Sequence, residues 1–252
     1  AIIGILLYGV ANSLNTVDDF ETYQKNQKYL EKVEKALFTF AQVNRFLPCP
    51  DTDFDGRENR LPPANSSICV DKDGSIPYLD IGIERNDAWG SPLYYAVNNQ
   101  VDNAAPVVIN DADESASYFS NQTTPQPSYD YNTTPFGSDR GAGNYRVCSE
   151  TAADCNAATA DDDIIEFAAI AVVISFGENG DETWTRRNNG TENQLSASEE
   201  ENADDDHFFW QAQGTNVMDP VRLAFDDQLF WITGYDMKYA VIKSGGDLPN
   251  IP

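Results

Sequence analysis

A chain of 252 residues carries 16 lysines and arginines against 41 aspartates and glutamates, a formal charge of -25. A surface this acidic repels the phosphates of nucleic acid and of anionic lipid headgroups, so nucleic-acid binding is excluded as a function. The length suits one large domain or two small ones and is ample for a core.

The chain opens on an apolar run, A-I-I-G-I-L-L-Y-G-V at 1–10. Alone it is too short to span a bilayer, which takes about 20 residues. It has neither a basic segment before it nor an A-x-A cleavage site, so it reads as the end of a longer apolar segment. From Asn12 to Phe46 there is no proline or glycine, and Leu14, Val17, Phe20, Leu30, Val33, Leu37, Phe40 and Ala41 recur at threes and fours. One helix over 2–46 is predicted, ended by Pro48 and Pro50, with Glu31 and Lys35 spaced for an i,i+4 pair. At 1.5 Å per residue it is about 65 to 70 Å long, more than a small domain is wide. Residues 1–25 are therefore expected to project, and 26–252 to form a globular head that includes the second half of the helix.

Beyond Pro50 come turns at 51–56 (D-T-D-F-D-G), at Pro62 and Pro63, and at 71–74 (D-K-D-G). Residues 76–97 mix short apolar runs with turn signals and finish on a strand, Leu93 to Val97. Residues 110–143 read as surface loop. N-x-[ST] triplets at Asn65, Asn121, Asn132 and Asn189 are read as polar loop, with glycosylation as the alternative. Tyr145 to Cys148 is a predicted strand. Ile164 to Phe176 (I-I-E-F-A-A-I-A-V-V-I-S-F) is apolar and β-branched enough for a buried central strand, with a short buried helix as its rival. Residues 177–206 read as acidic loop, Arg222 to Phe225 and Asp226 to Ile232 as strands, Tyr235 to Ile242 as a strand or short helix, and 245–252 as a tail. The expected class is α+β: a long N-terminal helix whose C-terminal half packs on a mainly antiparallel sheet in a loop-rich head.

The four cysteines lack C-x-x-C spacing and fall into two local pairs, Cys49 with Cys69 and Cys148 with Cys155. Of three possible connectivities these local disulfides are favoured, which implies an oxidising compartment, periplasmic or extracellular. Asp51, Asp53, Asp55 and Gly56 make D-x-D-x-D-G, the opening of a Ca2+ loop. Pro62 stands where an EF-hand needs its bidentate glutamate, so a complete EF-hand is excluded. A different Ca2+ loop, which Asp71 and Asp73 could complete, stands beside the simpler reading of a solvated acidic turn. Asp204, Asp205, Asp206 and His207 precede Phe208, Phe209 and Trp210; a charged loop beside an aromatic anchor is preferred there to a metal site. His207 is the one histidine, which removes H-E-x-x-H and His-rich centres. No phosphate-cradling G-x-x-x-x-G-K-[ST] is present. Carboxylates abound, yet nothing singles out a hydrolytic pair. No catalytic residue is assigned.

A-I-I-G-I-L at 1–6, running into the long helix, resembles the end of the prepilin signature of type IV pilins and type II secretion pseudopilins. L-P-C-P-D at 47–51, D-A-W-G-S-P-L-Y-Y at 87–95, I-S-F-G-E-N-G at 174–180 and F-D-D-Q-L-F-W-I at 225–232 resemble, in the same order, stretches of large pilin-like proteins. The resemblance implies a structural subunit of an extracellular filament, or fimbrium, with a role in cell adhesion. It polymerises through Ile2, Ile3, Ile5, Leu6, Leu7, Val10, Leu14 and Val17. Implied partners are copies of itself, the inner membrane before assembly, and a pilus assembly machinery with its own ATPase. The processing site and the N-methylated first residue of the family would lie upstream of Ala1. The alternatives are a type II secretion pseudopilin and, from another class, a membrane-tethered secreted domain acting as a Ca2+-dependent adhesin or a hydrolase.

Overall fold

With no proline or glycine to interrupt its second half, α1 runs unbroken over Ile2–Asn44 in a computed structural model of the chain. The structure describes residues 2–44, 46–61, 69–97, 145–149, 155–195, 197–204, 206–211 and 227–245, and at 2–19, 168, 197, 198, 238 and 241 the backbone alone. After α1 come β1 (Asp73–Ser75), α2 (Tyr78–Ile81), β2 (Tyr94–Val97), β3 (Tyr145–Ser149) and β4 (Ile164–Ser175). Then follow α3 (Gly180–Asn188), α4 (Ala197–Ala203), β5 (Phe208–Gln211), β6 (Gln228–Thr233) and α5 (Gly234–Lys243). The class is α+β.

The sheet is organised on β4. Its first half pairs antiparallel with β3, while β2 and β6 both pair antiparallel with 171–174 and so take opposite edges. β1 extends the sheet beyond β2, antiparallel, and β5 lies parallel to β3. The sheet is thus mixed, with one parallel pairing among antiparallel ones. Ala169 to Ser175 are all buried, as expected of a strand covered on both faces. A register shift between Ala169 and Ala171 against β6 turns Ile170 and Ala171 both toward α1.

On that first face Leu30, Val33, Leu37 and Ala41 of α1 pack on Tyr95, Val97, Ile170, Val173 and Ile232, with Met237 of α5 beside them. Each Val, Leu, Ile or Met among them, fully buried, contributes about 1.5 to 3 kcal/mol. The second face is aromatic. Tyr94, Tyr145, Phe176 and Phe209 form one cluster with Trp184 of α3, which Tyr94 and Phe176 touch, and the Phe54 ring lies edge-on to Trp184 at 5.4 Å.

Both local disulfides are present, Cys49–Cys69 and Cys148–Cys155. The first ties the chain leaving α1 to the approach to β1 across 20 residues, a closure that stabilises by about 3 kcal/mol.

Several expectations change. The segment 177–206 is not loop: it holds α3, α4 and 3-10 turns at 177–179 and 192–194. Its polar sequence has no apolar stripe to announce a helix, but Asp181 and Glu182 in the first turn of α3, with Arg186 and Arg187 in the last, suit the helix dipole. The expected turn at 71–74 gives way to β1, and Phe208 to Gln211 form β5 where only an anchor was expected. Tyr235 to Ile242 is helix, begun by a capping box between Thr233 and Asp236. Glu31 and Lys35 make no ion pair with each other. Asn189 is the exposed C-cap of α3. The expected loop at 110–143, the strand at 222–225, the triplets at Asn65, Asn121 and Asn132, and Pro62 and Pro63 lie outside the described residues.

Candidate functional site

The buried stripe of α1 runs Asn26, Leu30, Val33, Leu37, Ala41, and its first member is polar and 0 % exposed. A buried amide left without partners costs about 1 to 3 kcal/mol, and both polar atoms of the Asn26 amide have one. Its Oδ1 accepts from the Ala88 N–H at 3.2 Å, and its Nδ2 donates to Gln228 Oε1 on β6 at 3.1 Å. Gln228 Nε2 donates in turn to the Tyr23 carbonyl at 3.4 Å.

Asp87, next to this contact, closes its own loop: Oδ1 accepts the N–H groups of Trp89, Gly90 and Ser91, each at 2.9 Å. Its Oδ2 accepts Ser175 Oγ from β4 at 2.6 Å. Burial pushes the Asp87 carboxyl above its ordinary pKa, and these hydrogen bonds oppose the rise. Ser91 Oγ donates to Asp181 Oδ1 at 3.1 Å, and Trp184 Nε1 donates to the Pro92 carbonyl at 2.8 Å. Gly180 has to be glycine here, since a Cβ would lie 2.7 Å from Ser91 Oγ. The stretches at 87–95, 174–180 and, of 225–232, the described residues 227–232 therefore meet at one place, beside Asn26 of α1. Asn26, Ser175 and Gln228 were not singled out from the sequence; the legible signal was an asparagine on an otherwise apolar stripe.

The acidic turn lies beside β1, bridged to it at Ser75. Asp51 exchanges main-chain hydrogen bonds with Ser75, at 2.9 and 2.8 Å, and its side chain is buried rather than solvated. Its Oδ2 accepts from the Gly56 N–H at 2.8 Å and Ser75 Oγ at 3.1 Å, and Oδ1 from the Asp53 N–H at 3.3 Å. Asp53 likewise accepts from the Asp55 N–H, and Asp55 from that of Arg57. Gly56 sits at φ +92°, with the Tyr78 ring 2.5 Å from where a Cβ would stand. Burial raises the Asp51 pKa, and the Gly56 and Ser75 hydrogen bonds act against it.

Of the five expected Ca2+ ligands, Asp51, Asp53 and Asp55 can bring one oxygen each within 4.8 Å of one another. Asp73 and Asp71 do not join them. Asp73 pairs with Arg187 at 2.5 Å, the two side chains 10 and 13 % exposed, and Asp71 accepts its neighbour's N–H at 2.7 Å. Arg187 also donates to the Ala203 and Asp204 carbonyls and lies over the Tyr94 ring at 4.8 Å. Asp51, Asp71 and Asp73 line one cleft of about 280 Å3 with Arg187, whose guanidinium serves Asp73. Ca2+ takes six to eight oxygens, roughly twice or more what the three turn carboxylates supply singly.

At the second acidic run, Asp204 Oδ1 accepts from the Asp206 N–H at 3.2 Å, and Asp206 Oδ1 from that of Phe208 at 2.6 Å. The His207 ring is buried and stacks on Tyr145 at 5.8 Å between centroids. The arrangement is a loop closing on itself beside aromatic core; Asp205 lies outside the described residues. Burial, with the Asp206 carboxylate adding to it, pushes the Asp204 carboxyl up to about 7.

Of the expected polymerisation residues, Ile2, Ile3, Ile5, Leu6, Leu7, Val10, Leu14 and Val17 have helical backbone, and their side chains lie outside the description. Among the described residues no helix is long and apolar enough to cross a membrane. Compared with models of known protein families, with curated proteins and with solved structures, the chain finds no match.

Two outcomes follow from this chemistry. Because backbone donors already close the carboxylates at 51–55, a Ca2+ chelator is expected to leave Tm unchanged; a fall of several degrees would reveal a bound ion. A carboxyl whose folded pKa is raised holds its proton more tightly in the native state, so stability is lost as pH climbs from about 4 through about 7. Asp204→Asn should remove that slope and stabilise the protein at pH 8 by roughly 1 to 2 kcal/mol, allowing for solvent near the group. Denaturant midpoints measured across this pH range check it, and an unchanged slope would refute it.

Proposed function

We propose that this chain is a structural subunit of an extracellular type IV pilus-like filament, polymerising through its N-terminal helix, with no catalytic role. The observation that carries the proposal is the length of α1 against the depth of its burial. The helix begins at Ile2, whereas among its described side chains, 20–44, full burial begins at Asn26 and Phe20 is half exposed. Helix from Ile2 to Asn26 extends about 36 Å at 1.5 Å per residue. Its sequence is apolar at Ile2, Ile3, Ile5, Leu6, Leu7, Val10, Leu14 and Val17, surface that water disfavours at about 25 cal/mol per Å2. A bilayer would shelter that segment in the precursor, and bundled helices of other copies would shelter it afterwards. The two disulfides suit a head that works outside the cell.

Electron microscopy of material sheared from producing cells tests this. Helical filaments containing this chain as their subunit are expected; a monomeric, membrane-tethered domain would contradict the proposal.

A further inference from the structure

Four of the chain's 16 basic residues stand on one line of α1. Lys25, Lys28, Lys32 and Lys35 are spaced three, four and three apart, so at about 100° per residue they fall within an arc of roughly 80°. That arc faces away from the stripe of Asn26, Leu30, Val33, Leu37 and Ala41 that packs on the head. All four lysines are exposed. Lys32 reaches Glu84 at 2.6 Å, both side chains more than half exposed, while Lys25, Lys28 and Lys35 make no ion pair among the described residues.

We infer that this basic stripe docks on the acidic head surface of a second copy of the chain, an inference that rests on the filament proposal. Without the stripe, 12 basic residues, 16 less 4, are left against 41 acidic ones, so each copy presents an excess of negative charge. Asp53, Asp55, Asp71 and Asp162 are among the exposed carboxylates. Packing heads that each carry -25 sets like charges side by side, and a concentrated basic face on every copy relieves that repulsion where copies meet. An anionic bilayer fits the stripe less well. Lys25 is about 21 Å along the helix from Ala11, more than two screening lengths of about 8 Å. Asp18, Asp19 and Glu21 lie between them and repel anionic headgroups.

The test uses the full chain in producing cells, with Lys25, Lys28 and Lys35 changed together to Glu in one variant and to Arg in another. Sheared filaments are expected to fall by about tenfold or more for the Glu variant and to match the unaltered chain for the Arg variant, which keeps the charge. Zero-length carbodiimide coupling of unaltered filaments should yield covalent dimers whose peptides join Lys25, Lys28 or Lys35 to head carboxylates. The Arg variant, lacking the amines, should lose those links, and the Lys32 to Glu84 link within one chain serves as the internal standard. Failure of the unaltered chain to form filaments would defeat the filament proposal. Filaments at full yield from the Glu variant would overturn the inference alone. So would coupling confined to Lys32 and Glu84, or directed to a different protein, and coupling on the unaltered chain decides even if the Glu variant fails to fold.

Discussion

A single buried amide fixes where the long helix can sit. The rest of the α1 stripe is aliphatic and its packing carries no directional bond, whereas Asn26 needs the Ala88 N–H and the Gln228 side chain together. Moving α1 by a turn would part the buried Asn26 and Gln228 amides from each other and from the Ala88 N–H, at about 1 to 3 kcal/mol for each amide left without a partner. The contact sets register between the helix, the loop of Asp87 and the β6 strand, and through Ser175 it reaches the middle strand of the sheet.

The rest of the fold is governed by a shortage of basic side chains. With 41 acidic residues and 16 basic ones, carboxylates cannot be satisfied pairwise by lysine and arginine. Asp51, Asp87, Asp206 and Asp236 instead accept N–H groups of their own loops or helix starts. Such charge-assisted bonds hold a turn without a partner from elsewhere in the chain. Where a basic side chain does pair in a nearly buried place it ties elements together: Arg187 joins Asp73 to the end of α4 and covers Tyr94, and Arg60 pairs with Glu58. The same scarcity makes four aligned lysines on the outer face of α1 stand out.

Regular and apolar elements were legible in the sequence because their signal is periodic or continuous. The helix ending near Asn44 could be expected from its periodicity, the strands at Tyr94, Tyr145, Ile164 and Gln228 from apolar, β-branched content between turn signals, and both disulfides from the local pairing of the cysteines. Short elements were not. α3 buries chiefly Thr183 and Trp184, so no stripe marks it, and β1 is three residues whose strand character comes from pairing with β2. The acidic turn was half legible. D-x-D-x-D-G identified the three residues that come together, but not the burial of Asp51, which depends on Ser75 across 24 residues. Asn26 was hidden for the same reason: a polar residue on an apolar face acquires meaning from partners 62 and 202 residues away.

If α1 is divided at Asn26 between head and polymer, its two parts should respond differently to assembly. Amide hydrogen exchange, resolved along α1 in detergent-held monomer and in sheared filaments, measures this directly. Protection of 26–41 is expected to match the core strands in both states, while protection of 2–19 rises sharply on assembly. Equal protection of 2–19 in monomer and filament, or exchange across 26–41 faster than in β4, would contradict the division.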